Sequence, residues 1–542
     1  MCGKAGLWPA CMMALAAFVG TRVGAAADPA RGPKGPPAWR AFRGEGDSGS
    51  TTEGDMELIH SAPPPAALKP LWTSEEQGIP YGWRHPNGFK NTGITGGYGG
   101  PVVAGGRVYI VWWEPSGPVC RLAVRSAKDK RPEKWRVAAD EVICAMDAAT
   151  GKTLWKARMQ RTGLNDQFGN HCKNYTPAVA DGAVCVSGNG GWLYCLEARD
   201  GSLRWKAKVG SIADTINAWQ EAGFVMGDGR YEKDWKEVYR NLAKVHTMAF
   251  NSNPVISAGV VASSDFSGPE RRGLGRVHGL IGFDLRTGKE RWRVPECIAS
   301  VSSPALWRYQ GREYIIAAGP TRAVCITPAT GDILWEILPP AEDAWPVKDD
   351  EEENDPRGRH GSPKLMVNGT PAVSGNYLVL SGTYGPTHGS AYSPAPWMSG
   401  PRCWKMTADG ARQIWRLPRA PREFRTDFAS FTIYRGHVYI LTRGGSTCVS
   451  LDTGQVLGKT QGEAFVSAHA GDGRLFVENR MYLAHPDAFG ARGPIRLPIP
   501  HERYTQSFYA DGFLFVRGQA PGHTHDDAPT SHGAVFCYDL RK

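Results

Sequence analysis

Residues 147–155 read DAATGKTLW, and residues 197–205 read EARDGSLRW. The phrase returns as DLRTGKERW at 284–292, TPATGDILW at 327–335 and, more loosely, MTADGARQIW at 406–415. SLDTGQVLG at 450–458 keeps the turn residues but lacks the tryptophan, and the chain ends by starting the phrase once more in VFCYDLRK. A short β-branched and aromatic run precedes most copies: EVICAM, WLYCLE, GLIGFD, RAVCIT and AVFCYD. Further upstream lies a second motif, a Pro with small apolar residues, a Gly and another apolar run. It reads GGPVVAGGRVYIVWW (99–113), YTPAVADGAVCVSG (175–188), SNPVISAGVVAS (252–263), SSPALWRYQGREYIIAAG (302–319) and GTPAVSGNYLVLSG (369–382).

Alternating apolar runs bounded by Gly and Asp predict short antiparallel strands. The Asp/Thr-Gly step is a turn, with Gly at positive φ and a side-chain oxygen bonding nearby N–H groups. The Trp then opens an outer strand, where its flat ring covers the seam to the next unit. Four strands cannot bury both faces alone, so the units must stack, and stacking about an axis protects their edges. The sequence therefore predicts an all-β, eight-bladed β-propeller of four-stranded antiparallel blades with a small helical insertion. Its units fall at 97–159, 174–210, 250–296, 300–338, 368–418, 428–460, 464–498 and 503–542. The last unit lacks its Trp strand, while LKPLWTSEE (68–76) supplies an orphan one, so the Trp72 strand is expected to complete the blade ending at Asp539. The docking tryptophans are then Trp72, Trp155, Trp205, Trp292, Trp335 and Trp415.

The pattern A-x-D-x-x-T-G-x-x-x-W, preceded by P-x-V-x-x-G, resembles the tryptophan-docking repeat of the PQQ-like (quinoprotein-like) propellers. The likeness spans residues 68–542, and WRAFRG (39–44) resembles an N-terminal motif of secreted bacterial members. The resemblance implies an eight-bladed ring and one of two functions. One branch holds PQQ and Ca²⁺ in an axial funnel and oxidises alcohols or sugars. The other binds no cofactor and serves as a protein-interaction scaffold, as in the outer-membrane assembly propeller. Fold alone does not choose between them.

The catalytic branch typically stacks PQQ against a ring formed by two adjacent cysteines, and this chain has no Cys-Cys step. It also needs a Glu and an Asn oxygen for Ca²⁺ and an Asp as base. The resemblance places such groups where innermost strands begin, just before each Pro. Those positions hold Asn174 and Thr176, Asn251 and Asn253, Ser302 and Ser303, and Asn368 and Thr370. They are the candidate axial site: neutral amides and hydroxyls that can bind a polar ligand or water but cannot abstract a proton. Glu114 or Glu221, supplied from a loop, would restore a carboxylate. No cofactor follows from the residues themselves, and PQQ with Ca²⁺ is what the catalytic branch would carry.

Residues 1–27 carry Lys4, the apolar stretch MMALAAFV (12–19) and a small-residue run, which reads as a signal peptide cut after Ala27. Its apolar stretch is too short to span a bilayer, and no later stretch is long and apolar enough. Residues 28–67 read as a Pro- and Gly-rich flexible lead-in. The expected location is periplasmic or extracellular. Net charge is +10, and removing Lys4 and Arg22 leaves +8. With no aromatic-basic module for nucleic acid, the expected partner is a protein or an anionic envelope polymer, bound by a monomer.

The chain has twelve cysteines, of which Cys195, Cys325 and Cys537 share one repeat position, Cys144 sits one residue earlier and Cys448 recurs in its own copy. Equivalent sites in different blades are held too far apart to bond, so these read as small buried hydrophobes. If any pair bonds, the sequence favours Cys172 with Cys185. Insertions are expected near 210–247, 339–364, 383–401 and 519–533. The first contains EKDWKEVYRNLAKV, with Trp235, Val238, Tyr239 and Leu242 on one helical face. The second carries the solvated acidic run DDEEEND (349–355). The last carries GHTHDDAPTSH (522–532), in which His523, His525 and Asp526 form a candidate site for Zn²⁺, Cu²⁺ or Ni²⁺.

Overall fold

The computed structural model describes residues 56–61, 64, 67–83, 99–123, 133–166, 176–188, 191–209, 225–226, 252–265, 277–299, 302–319, 322–338, 370–380, 400–417, 431–442, 445–460, 468–489, 493–501, 505–521 and 530–542. Among these residues the chain makes eight antiparallel sheets in sequence order, the blades of a β-propeller. The innermost strands are Val102–Ala104, Ala178–Ala180, Val255–Ser257, Ala305–Tyr309, Ala372–Ser374, Thr432–Tyr434, His469–Gly471 and Phe508–Ala510. From blade two to blade eight, successive members of this series lie against one another, which sets them around the axis. Blade eight closes the ring: its outer strand is Trp72–Thr73, with Trp72 paired to Cys537 and Thr73 to Phe536.

The core lies between blades rather than within them. One apolar cluster spans blades eight, one and two, and each of the other six joins two neighbouring blades. The repeated phrase makes these seams. Asp147 Oδ1 accepts the N–H groups of Ala149 and Thr150 and the Thr150 hydroxyl, and Asp284 does the same for Arg286 and Thr287. The turn Gly follows at positive φ, and the preceding blade's Trp ring lies flat on it. A Cβ on Gly201 would stand 2.5 Å from the Trp155 ring, and one on Gly151 would stand 2.5 Å from Trp72. Each indole then donates across the seam: Trp72 to Ala148 O, Trp155 to Ala198 O, Trp205 to Leu285 O, Trp292 to Pro328 O, Trp335 to Thr407 O and Trp415 to Leu451 O. Blade five's shorter turn, with Thr407 opposite Gly410, keeps the Trp335 bond without the glycine contact.

Two seams have no docking Trp, and other elements fill them. Between blades six and seven the one-turn helix Pro486–Phe489 inserts Phe489, buried against Tyr439 of blade six at 5.2 Å and Tyr482 of blade seven at 5.9 Å. Between blades seven and eight, Phe476 stacks on Tyr509 at 4.3 Å. Buried Leu58 bridges to Arg541 there, and the Met56 and Ile59 N–H groups bond Asp472 Oδ1 and Leu540 O. The end of the expected lead-in thus lies on the last two blades.

Blade one is the exception in length. Its second and third strands, Arg107–Ala123 and Glu133–Asp147, pair almost throughout, whereas the innermost strand reaches only the Val102–Tyr109 pair. Residues beyond Val111 therefore rise past the start of the innermost strand, on the face where the pre-proline residues lie. The fourth strand, Thr153–Asp166, rises with them, and Val225–Met226 pairs with Arg121 and Cys120. Beside this projection, Ile79–Trp83 pairs with the start of Thr530–Asp539 and lies against blade one.

The expected signal peptide at 1–27, residues 28–55, the expected helical stretch with Trp235 to Leu242, the run 349–355 and the stretch 383–399 lie outside the described residues. Among the described residues no helix is long and apolar enough to cross a membrane.

Candidate functional site

The pre-proline residues of blades two to five stand where each innermost strand begins. Proline biases its predecessor to extended backbone and has no N–H of its own, so the preceding residue presents the first N–H of the strand. That N–H turns to the next blade. Thr176 N–H donates to Asn253 Oδ1 at 2.8 Å, Asn253 N–H to Ser303 Oγ at 2.9 Å, and Ser303 N–H to Thr370 Oγ1 at 3.0 Å. Asn253 Nδ2 also donates to Ser303 Oγ, at 3.3 Å. The four residues form one buried relay from blade two to blade five.

The relay changes character farther round. In blade six the Thr432 hydroxyl donates to Ala468 O of blade seven at 2.6 Å. His469 opens blade seven's innermost strand, buried, with its ring edge-on to Phe508 of blade eight. Where blade eight meets blade one the backbones touch: a Cβ on Gly100 would lie 2.7 Å from Gln506 O. Behind the relay, Ser252 bonds Ser264 within blade three, and Ser187 bonds Ser263 across the seam. Ser302, beside Ser303, is also fully buried.

A Ca²⁺ ligand needs oxygens free to converge on the ion. Three of the relay oxygens, Asn253 Oδ1, Ser303 Oγ and Thr370 Oγ1, already accept backbone N–H groups, and among the described residues no three of His, Cys, Asp and Glu come together. Glu114 stands at the base of the blade-one projection. It accepts Trp112 Nε1–H at 2.9 Å and pairs with Arg158. Arg158 also binds Asp140 at 3.0 Å, and the Ser116 hydroxyl donates to the same carboxylate. These two carboxylates, with one shared guanidinium, form a closed network rather than a vacant base. The described part of the site does not fit Ca²⁺ and PQQ.

Asn174, Asn251, Asn368, Glu221, Cys172, His523, His525 and Asp526 lie outside the described residues. The eight cysteines whose side chains are described are unbridged and buried, and burial pushes the Cys144, Cys297, Cys325 and Cys448 thiols up to about 12. Such thiols are neither nucleophiles nor metal ligands at neutral pH. The sequence reading missed the blade-one projection, because the Pro and Gly of EPSGP (114–118) interrupt the apolar alternation. The long β-branched run WRVAADEVICAMD (135–147) was the signal for it.

The family model described as outer membrane protein assembly factor BamB, a PQQ-type repeat model, matches residues 70–220, 139–384 and 276–468. Among solved structures, BamB from Moraxella catarrhalis is 14% identical, over 73% of this chain and 88% of that one, with a TM-score of 0.41. A europium-containing methanol dehydrogenase is 13% identical, over 94% and 99%, with a TM-score of 0.41. The quinohemoprotein alcohol dehydrogenase from Comamonas testosteroni is 13% identical, over 93% and 80%, also at 0.41. No curated protein matches the chain.

Proposed function

The chain belongs to the PQQ-like β-propeller family, and on that premise we propose that it is a non-catalytic binding propeller of the bacterial cell envelope. The relay from Thr176 to Thr370 carries this reading, because the oxygens that the catalytic branch would turn to Ca²⁺ here tie blade to blade. The matching family model is named for an envelope assembly factor, and the basic net charge suits an acidic protein or anionic polymer as partner. The projection of blade one, beside the mouth of the ring, is the docking element. The test is photo-crosslinking in cells from position 119 on the projection and from position 105 on the opposite face. Adducts from position 119 alone support the reading. Equal adducts from both, or dye reduction by the purified protein with PQQ and Ca²⁺, would overturn it.

A second reading, a PQQ- and Ca²⁺-dependent dehydrogenase of alcohols or sugars, has one observation in its favour. Thr176 Oγ1, Thr505 Oγ1, Gln506 Nε2 and Ser507 Oγ are buried at innermost-strand starts with no bond among the described residues. Buried polar groups ordinarily have partners, so water or a polar ligand belongs beside them. For catalysis a carboxylate would also have to come free of Arg158 or arrive with Glu221.

A further inference from the structure

The cysteine of the third strand recurs round the ring, and its register partner on the second strand is ordinarily apolar or aromatic. Cys144 faces Ile110, Cys325 faces Ile316, Cys403 faces Val379, Cys448 faces Tyr439 and Cys537 faces Phe515. Among the described residues only blade two sets cysteine opposite cysteine: Cys195 pairs with Cys185. Directly opposed residues of antiparallel strands project to the same face, and both belong to the apolar cluster against blade three. The Cα spacing of such pairs, about 4.5–5.5 Å, lies inside the range a disulfide spans. The two thiols are close enough for Cys195 to help raise the Cys185 thiol, and Cys195 Sγ also reaches Leu285 O at 3.8 Å.

We propose that Cys185 and Cys195 form a cross-strand disulfide when the chain folds in an oxidising compartment, with a small-molecule or protein disulfide as oxidant. One cysteine thiolate attacks the oxidant's disulfide and displaces its first thiol. The other cysteine then attacks the resulting mixed disulfide and displaces the second. Two electrons pass to the oxidant, the two cysteine protons end on its two thiols, and one S–S bond joins the strands. Order of events follows from burial. In the closed ring both thiols are fully buried, and burial, with the neighbouring thiol, holds Cys185 well above the ordinary thiol value. Trp205, paired with Cys195 and bonded to Leu285 O of blade three, covers them. The bond therefore forms while blade two is an open hairpin, before blade three docks.

The test is to refold the reduced, denatured full chain in a glutathione redox buffer, trap free thiols with N-ethylmaleimide and map the peptides by mass. The same trapping on chain exported to a bacterial periplasm gives a second measurement that needs no refolding. The expected result in both is a peptide pair joined through Cys185 and Cys195. Both cysteines alkylated when the folded product is unfolded in N-ethylmaleimide, or Cys185 joined to Cys172, would overturn the proposal. Folded, reduced protein placed in the same buffer should stay alkylatable at both positions once unfolded. Ready oxidation there would overturn the order of events.

Discussion

Ser303 Oγ lies 2.9 Å from the backbone nitrogen of Asn253 and takes its N–H across the seam between blades three and four. The same serine passes its own N–H to Thr370 Oγ1, so one residue holds two seams at the axis. Ser303→Ala leaves the buried Asn253 N–H without its acceptor, and a lost buried bond of this kind costs about 1–3 kcal/mol. The urea midpoint should fall accordingly, while Ser303→Thr should recover most of the loss.

Gly201 and Trp155 make a sharper case. Gly201 has φ 74 and would place a Cβ 2.5 Å from the indole. Gly259 has φ 70 with nothing within 4 Å. Gly259→Ala should lose about 1–2 kcal/mol, the left-handed backbone term alone. Gly201→Ala adds a clash of about 1–3 kcal/mol and should melt first in a side-by-side thermal scan. Equal losses would mean that the ring contact carries no weight.

Phe489 takes the place of a docking Trp between blades six and seven. Phe489→Ala should destabilise the ring by about 3–5 kcal/mol, as expected of a truncated buried aromatic. Leu457→Ala, on the exposed outer strand beside it, should stay within about 0.5 kcal/mol. Chemical denaturation of the two variants separates a filled seam from surface packing.

Acid should loosen the turns. The Ser202 hydroxyl and N–H, with Arg199, hold Asp200 down at about 2, and Arg291 and Thr287 hold Asp284 well below the usual carboxylate range. Both values lie below the unfolded reference near 3.9. Their contribution is therefore complete above about pH 4 and fades as pH falls towards 2. Melting temperature should drop across that window, and drop less in Asp200→Asn. Asp200 is exposed, so added salt should shrink the difference.

The ring was legible in the sequence because each blade repeats one turn and one Trp, and because Trp72 stood without a blade of its own. The last two seams were not. Gly458 stands where a Trp would dock, and neither a one-turn helix carrying Phe489 nor a segment as short as Met56–His60 has a period to read. The pre-proline positions could be found from spacing. Which way their oxygens turn could not, since Asn253 and Ser303 offer the same chemistry to a ligand as to a neighbouring N–H. Cys185 opposite Cys195 needed the strand register.

The central claim is that the axial oxygens hold blades rather than a cofactor. Its most direct test is titration of the purified protein with PQQ and excess Ca²⁺, following Trp fluorescence and dye reduction with alcohols and sugars. The account predicts no saturable quenching at micromolar PQQ and no dye reduction. Saturable quenching accompanied by dye reduction would contradict it.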